Sequence, residues 1–497
     1  MSTSRRQFLK TLGTTAPALV LAAPGIAMAH DEKNSSNSGS SNNSSSTGPV
    51  SVPVFEIPLN IPPEAHPVDE DDEGRPIYEL TQENATVEII PGLQTEILGY
   101  NGMTPGPTIR VQADQEVIVR QINETDVKTT THLHGGHMPT GNDGHPVDLV
   151  EPGDSQDYLY TNKQRPTTLW YHDHAMDLTG PHVYAGLAGF YIIEDEYERS
   201  LGLPDGDREI PLVIQDRTFT DEGALLYKKT VTGELGDTIL VNGTPYPYLE
   251  VDTTRYRFRI LNGSNARVYN LVLSNGAQFV QIGSDGGLLE APVSRTNMVI
   301  APAERLDVII DFGEAAVGDQ IVLTNKSGSG TTSQIMRFDV TEAESDESVV
   351  PDILSTIERL DPNDAVETRR WEFSRIPSAD KQFVINGLPY DENRVDAYPR
   401  LGSTEIWELV NKTKGGHPIH IHDIMWQILD INGRPPGPHD AGWKDTFKLP
   451  PNGTVRVIGR FDDYTGDPDD IKSAYLMHCH ILEHEDSAMM NQFIVVE

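Results

Sequence analysis

The chain runs to 497 residues, carries 38 Lys and Arg against 75 Asp and Glu for a formal charge of −37, and contains a single cysteine. The acidity is spread along the chain, in stretches such as Asp69 to Glu73, Glu342 to Glu347 and Asp462 to Asp470, so nucleic acid and anionic membrane would be repelled and neither is expected as a partner. A lone thiol excludes an intramolecular disulfide, and the length suffices for about three domains of ~150 residues.

The N-terminus opens with Ser4-Arg5-Arg6-Gln7-Phe8-Leu9-Lys10, continues through a modestly apolar run from Thr11 to Ala23 and ends in Ala27-Met28-Ala29. A basic start, a short apolar stretch and a small-x-small end predict a removable leader over 1–29, and the paired arginines mark the twin-arginine export route. The run is well short of the ~20 residues needed to span a bilayer, and Pro17 and Pro24 interrupt it, so no membrane insertion is expected. Residues 30–50 are rich in Ser and Asn, with few apolar side chains, and read as a disordered linker, with Asn34, Asn42 and Asn43 in N-x-Ser sequons.

Beyond the linker the chain repeats itself. Asn-Gly recurs at Asn101-Gly102, Asn242-Gly243 and Asn386-Gly387, and each is followed by an alternating strand that ends in Asn-x-Thr/Ser, at Asn123, Asn262 and Asn411. Repetition on that scale implies whole domains, expected over 51–200, 201–350 and 351–497. Short period-2 runs such as Glu116 to Arg120 and Arg255 to Ile260, punctuated by Gly, Pro, Asn and Asp, predict an all-β fold of antiparallel sandwiches with few helices.

Four histidine clusters stand out. They are His132-Leu133-His134, His172-Asp173-His174, His417-Pro418-Ile419-His420-Ile421-His422, and His478-Cys479-His480 with His484 and Met489 further on. In an extended strand alternate side chains point to opposite faces, so His478 and His480 share one face while Cys479 takes the other. One segment could thereby serve two metal centres. Two imidazoles, a thiolate and a weak thioether are the donor set of a trigonal copper site. The clusters fall only in the first and third repeats, so the metal cluster is expected where those two domains meet, with the second as spacer.

These motifs, in this order, resemble those of the three-domain multicopper oxidases, the group containing bacterial and archaeal laccases, spore-coat laccase and bilirubin oxidase. Further family-like text stands at Tyr100 to Pro107, Ala301-Pro302-Ala303-Glu304-Arg305-Leu306-Asp307 and Trp443-Lys444-Asp445-Thr446. The resemblance implies three Greek-key cupredoxin sandwiches and four copper ions. It assigns His417, Cys479, His484 and axial Met489, with Met490 the neighbouring alternative, to a type 1 copper shielded by Ile481 and Leu482. It gives His132 and His420 to the type 2 copper. The type 3 pair takes His134, His172 and His480 on one ion and His174, His422 and His478 on the other. Asp143 and Glu485 match acidic positions used for proton supply or ligand support.

The implied activity is a laccase-type oxidase that takes single electrons from phenols, aromatic amines or tetrapyrroles near His484 and reduces O₂ to water. Its partners are then a small-molecule donor and O₂, and a monomer is expected. The alternatives are a metallo-oxidase of Cu(I), Fe(II) or Mn(II), disfavoured by the absence of a Met-rich insertion, and a non-enzymatic cupredoxin scaffold. His30, His66, His137, His145, His182 and His439 are read as non-ligands, and Trp170 and Trp426 as core or pocket wall. The dispersed acidity predicts a high-salt habitat, in which screening relieves self-repulsion.

Overall fold

The computed structural model describes residues 52–376 and 382–497, together with the two-residue strand Ala27–Met28. Apart from that strand, the expected leader, the linker and its sequons lie outside the described residues. Each of the three Asn-Gly pairs turns the chain in one and the same way. Both residues take positive φ, 53° and 70° at Asn101-Gly102, 50° and 76° at Asn242-Gly243, and 52° and 78° at Asn386-Gly387. That is the conformation of a tight hairpin turn, which Asn and Gly tolerate best. In each repeat the Asn side chain then accepts a backbone N–H from a neighbouring strand, from Thr81 at 2.7 Å, Val213 at 2.8 Å and Glu372 at 2.8 Å.

The second landmark is equally regular. Asn123 donates to the carbonyls of Val127 and Val150, Asn262 to those of Arg267 and Ile300, and Asn411 to those of Gly415 and Pro450. Each pins the loop that follows its strand to a distant segment. The repeats are therefore repeats of structural joints, legible because a fixed hydrogen-bond geometry demands one residue type.

The elements are mostly β-strands, gathered into two sheets in each of three sandwiches. The first pairs a four-stranded with a five-stranded sheet, the second a seven-stranded with a five-stranded sheet, and the third a five-stranded with a four-stranded sheet. A separate apolar core fills each. Alternation along Val117–Asn123 shows how: Val117, Val119 and Gln121 turn inward while Ile118, Arg120 and Ile122 are half-buried.

The sheets are mixed, which departs from the purely antiparallel expectation. The opening strand of each sandwich runs parallel to the strand that ends in Asn-x-Thr/Ser. The pairs are Pro76–Val87 with Val117–Asn123, Glu209–Arg217 with Arg255–Asn262, and Ala365–Arg375 with Thr404–Asn411. In each case the chain crosses to the opposite sheet between the two, and a crossover delivers a parallel partner where a hairpin would deliver an antiparallel one.

In the third sandwich Trp407 lies tilted against Trp426, with centroids 4.9 Å apart, and meets Phe493 edge-on at 5.2 Å. Aromatic pairs of this kind contribute ~0.5–1.5 kcal/mol each beyond their area burial. They anchor the small sheet that carries strands His417–Ile421 and Tyr475–Cys479.

Candidate metal centre

Strand register brings the histidine clusters together. In the first sandwich Thr131–His134 lies beside Thr167–Asp173 with His132 opposite His172. In the third, His417–Ile421 lies beside Tyr475–Cys479 with His420 opposite His478 and Ile419 opposite Cys479. The two sandwiches then face each other. His132 Nε2 is 3.4 Å from His420 Nε2, His174 Nε2 is 3.3 Å from His478 Nε2, and His422 Nε2 is 3.3 Å from His478 Nε2. His134, His172 and His480 complete the cage, with ring centroids 5.8 Å apart for His134 and His172 and 5.4 Å for His172 and His480. Trp170 forms a wall of it, 4.3 Å from the His172 ring.

The outer nitrogens of the cage are held. His132 Nδ1 donates to the Asp143 carbonyl at 2.7 Å, His172 Nδ1 to the Asp173 carbonyl at 2.8 Å and His420 Nδ1 to the Asp445 carbonyl at 3.0 Å. His422 Nδ1 donates to Asp143 Oδ2 at 2.8 Å, and Glu485 lies 2.9 Å from His478 Nδ1 and 3.4 Å from His174 Nδ1. Holding one ring nitrogen as N–H leaves the lone pair on the other, the form that binds a metal. Burial, reinforced by the neighbouring imidazoles, drives His134, His172, His420, His422 and His480 far below their usual pKa, and drives His174 to about 3. These rings are neutral.

The cage passes a direct test of fit to metal. His134 Nδ1, His172 Nε2 and both ring nitrogens of His480 are buried without any hydrogen-bond partner. Leaving buried polar atoms unpaired costs ~1–3 kcal/mol apiece, a penalty that metal ligation removes. Sets of three donors whose ligating atoms lie within 4.8 Å of one another include His132/His420/His422, His132/His134/His172 and His174/His422/His478.

A second set, His417/Cys479/His484, satisfies the same limit. Cys479 Sγ lies 3.4 Å from His417 Nδ1 and 3.5 Å from His484 Nδ1. Thr413 Oγ1 is 2.7 Å from His417 Nε2 and fixes that ring from behind. Burial pushes the Cys479 thiol well above its usual pKa and lowers His417 to about 4. His484 sits in the short helix Leu482–Glu485, from which the chain turns back through Ala488 at φ 75° until the Cys479 N–H donates to the Met489 carbonyl at 3.0 Å. A positive φ at alanine is strained, and such strain gathers at functional turns. Met489 packs in the core cluster that holds Cys479, Ile481 and Phe383, whereas Met490 packs with Tyr390, Leu476 and Ala488. His484 is 5 % exposed against 2 % for His417, and the Phe383 ring covers it at 4.0 Å.

The remaining histidines stand apart from both sets. Asp423 and Asp463 flank His137 and, against the opposing effect of burial, raise it to about 9. His182 donates to Asp173 Oδ1 at 2.8 Å, His145 faces Gln492 at 3.2 Å, His439 lies 3.4 Å from Asp440 and His66 is exposed. His30 lies outside the described residues. Trp426 belongs to the third core. Residues that sequence reasoning left without a role are Asp445, Thr446, Thr413 and Phe383. The first two stood in a quoted motif, Thr413 closed the Asn-x-Thr/Ser motif four residues ahead of His417, and only tertiary proximity gives Phe383 away.

Three β-sandwiches with a buried imidazole cage and an adjoining His₂Cys set at the junction of the first and third define a metal-dependent oxidoreductase of cupredoxin architecture. Models of the multicopper oxidase family match residues 81–198, 209–341 and 359–497. A laccase of Bacillus subtilis is 37% identical over 90% of this chain and 99% of its own length. The bilirubin oxidase of Albifimbria verrucaria is 36% identical over 89% of this chain and 81% of its own length. The crystal structure of a multi-copper oxidase from Pediococcus acidilactici superimposes with a TM-score of 0.82, at 32% identity, covering 91% of this chain and 94% of that one. The chain belongs to the multicopper oxidase family, whose members bind four copper ions as type 1, type 2 and type 3 centres, and it is an enzyme.

Proposed function

We propose that the enzyme is a laccase-type oxidase. It takes single electrons from phenolic, aromatic amine or tetrapyrrole donors beside His484 and reduces O₂ to water within the eight-histidine cage. Copper held by these residues would supply the one-electron redox chemistry. His417, Cys479 and His484 would hold the type 1 ion, with Met489 as a weaker fourth donor. His132 and His420 would hold the type 2 ion, His134, His172 and His480 one type 3 ion, and His174, His422 and His478 the other.

The observation that carries this reading is the alternation at His478-Cys479-His480. Cys479 Sγ turns toward His417 and His484, while His478 turns toward His174 and His422. Adjacent residues thus link the two donor sets covalently, over Cα atoms ~3.8 Å apart. Ile481 and Leu482, both buried, keep water from the thiolate site and so favour the less charged reduced ion. Met489 shares the core cluster of Cys479, in keeping with its role as the weaker fourth donor. Phe383 against His484 forms a flat apolar wall suited to an aromatic donor. Asp143 and Glu485 each touch two cage histidines and stand in position to orient them and to pass protons inward.

Oxygen uptake with a phenol such as syringaldazine tests the activity. Cys479→Ser should abolish it along with the blue absorption of a copper–thiolate bond, and an unchanged rate in that variant would refute the reading. Fully loaded protein should hold four copper equivalents, and markedly fewer would refute the ligand assignment. Faster turnover of Cu(I) than of any phenol would favour the metallo-oxidase alternative. We further propose export by the twin-arginine route and division into units near residues 200 and 350. Retention of the chain inside cells after Arg5→Lys and Arg6→Lys, with export of the parent, tests the first.

A further inference from the structure

The middle sandwich contributes no metal ligand, yet it reaches the cage. We propose that Arg305, on strand Arg305–Asp311 of that sandwich, is a positioning residue that sets the orientation of His134 through Asp445. The proposal rests on the reading of His134 as a cluster ligand.

Arg305 is 1 % exposed, and every one of its guanidinium N–H groups has an acceptor. Nε donates to the Thr168 carbonyl at 2.9 Å, on the strand that carries His172. Nη1 donates to the Ala303 carbonyl at 3.1 Å and to Asp445 Oδ1 at 2.8 Å, while Nη2 donates to the Asp285 carbonyl at 3.0 Å and to Asp445 Oδ2. One planar fork therefore ties the first sandwich, the second and the third, and fixes the plane of the Asp445 carboxylate.

Asp445 supports two imidazoles, one through its carboxylate and one through its backbone carbonyl. Asp445 Oδ1 lies 3.2 Å from His134 Nε2, Thr446 Oγ1 lies at the same 3.2 Å, and the Asp445 carbonyl accepts from His420 Nδ1. With Nε2 engaged as donor, the lone pair of His134 sits on Nδ1, the buried atom that has no protein partner. Which nitrogen of His134 faces the cage is thus decided by a carboxylate that a residue of the ligand-free sandwich holds still. Gly135, which follows His134 at φ +84°, makes room for this: a Cβ there would stand 2.6 Å from Asp445 Oδ2 and 2.7 Å from Arg305 Nη2. Lysine cannot replace the fork, because an ammonium offers a point charge without the bidentate plane.

The test compares fully loaded Arg305→Lys, Arg305→Gln, Thr446→Val and His134→Gln with the parent. Readouts are copper per chain, the electron paramagnetic resonance spectrum of the type 2 ion, and anaerobic bleaching of the blue band by a donor. Arg305→Lys and Arg305→Gln should keep the blue band and its bleaching rate, since the His₂Cys set lies elsewhere. Affinity for cluster copper and oxygen turnover should fall about 10–100-fold, the usual effect of removing a ligand's outer partner. Thr446→Val, which removes the other contact to His134 Nε2, should move both in the same direction by less, and if the arginine variants do not fold, Asp445→Asn, which breaks the same fork from its other end, decides the matter. Full copper content with the parent's resonance spectrum in either arginine variant would overturn the proposal. His134→Gln that keeps all four coppers would instead refute the ligand reading, so the two failures are distinguishable.

Discussion

Two acidic residues, four and six positions beyond Cys479, do different work. Glu485 approaches His478 Nδ1 and His174 Nδ1 with its two oxygens, and although burial works to raise its pKa, those imidazoles hold it well below the usual carboxylate range. Glu483 faces away from the cage. It accepts from Tyr227 at 3.0 Å, Asn265 at 2.8 Å and the Glu234 N–H at 3.0 Å, and burial raises its pKa. Glu485→Gln can satisfy only one of its two imidazoles, so turnover should fall about 10–100-fold while the blue band survives. Glu483→Gln should leave turnover intact and lower stability by ~1–3 kcal/mol, because one buried partner loses its acceptor. Stopped-flow turnover and thermal unfolding of both variants separate the two, and equal loss of turnover would show that the distinction drawn from their contacts is wrong.

At the scale of elements, the three Asn-Gly joints give a graded prediction. Asn242 is fully buried, accepts from Val213 and donates to the Pro211 carbonyl at 2.9 Å, whereas Asn386 makes the same kind of bonds at an exposed position. Alanine at either position must adopt positive φ, which costs ~1–2 kcal/mol. Asn242→Ala in addition strands buried backbone groups at ~1–3 kcal/mol apiece, so its unfolding midpoint should drop much further than that of Asn386→Ala. Equal shifts in denaturant unfolding would contradict this. These joints and the His-x-His pairs were legible because each rests on a local rule, a turn geometry or a two-residue alternation. The parallel pairing of the opening strands was not, since alternation along a strand is the same whichever way its neighbour runs. Arg305 and Phe383 were illegible as site residues for another reason, since each lies about a hundred residues or more from its imidazole and only the packed fold brings it there, while Thr413, four residues before His417, stood in a motif whose conformational role hid its contact with that ring.

For the whole molecule the governing quantity is a charge of −37. Inside, charge is matched: Arg257 and Arg259 are buried against Glu198, Glu209 and Asp307, and the arginines overcome burial to hold Glu198 and Glu209 below the usual carboxylate range. Such pairs are shielded from salt, while the exposed acids repel one another and are screened over ~3 Å at about 1 M ionic strength. Unfolding temperature and activity should therefore rise as NaCl goes from dilute to molar, and a fall in both would refute the high-salt reading. Acid separates the two populations. At low salt, protonating exposed carboxylates near their ordinary pKa of about 4 relieves repulsion, so stability should first hold or rise on acidification toward pH ~5. The contribution of Glu198 and Glu209, whose folded pKa values are depressed, is complete above the unfolded value of ~4.3 and is lost as pH falls below it, because the unfolded chain then binds more protons than the folded one. Stability should consequently collapse below about pH 4 at any salt concentration. Glu209→Gln should flatten that acid limb without altering the salt dependence, and a variant that changed the salt response instead would place the stabilising charge on the surface.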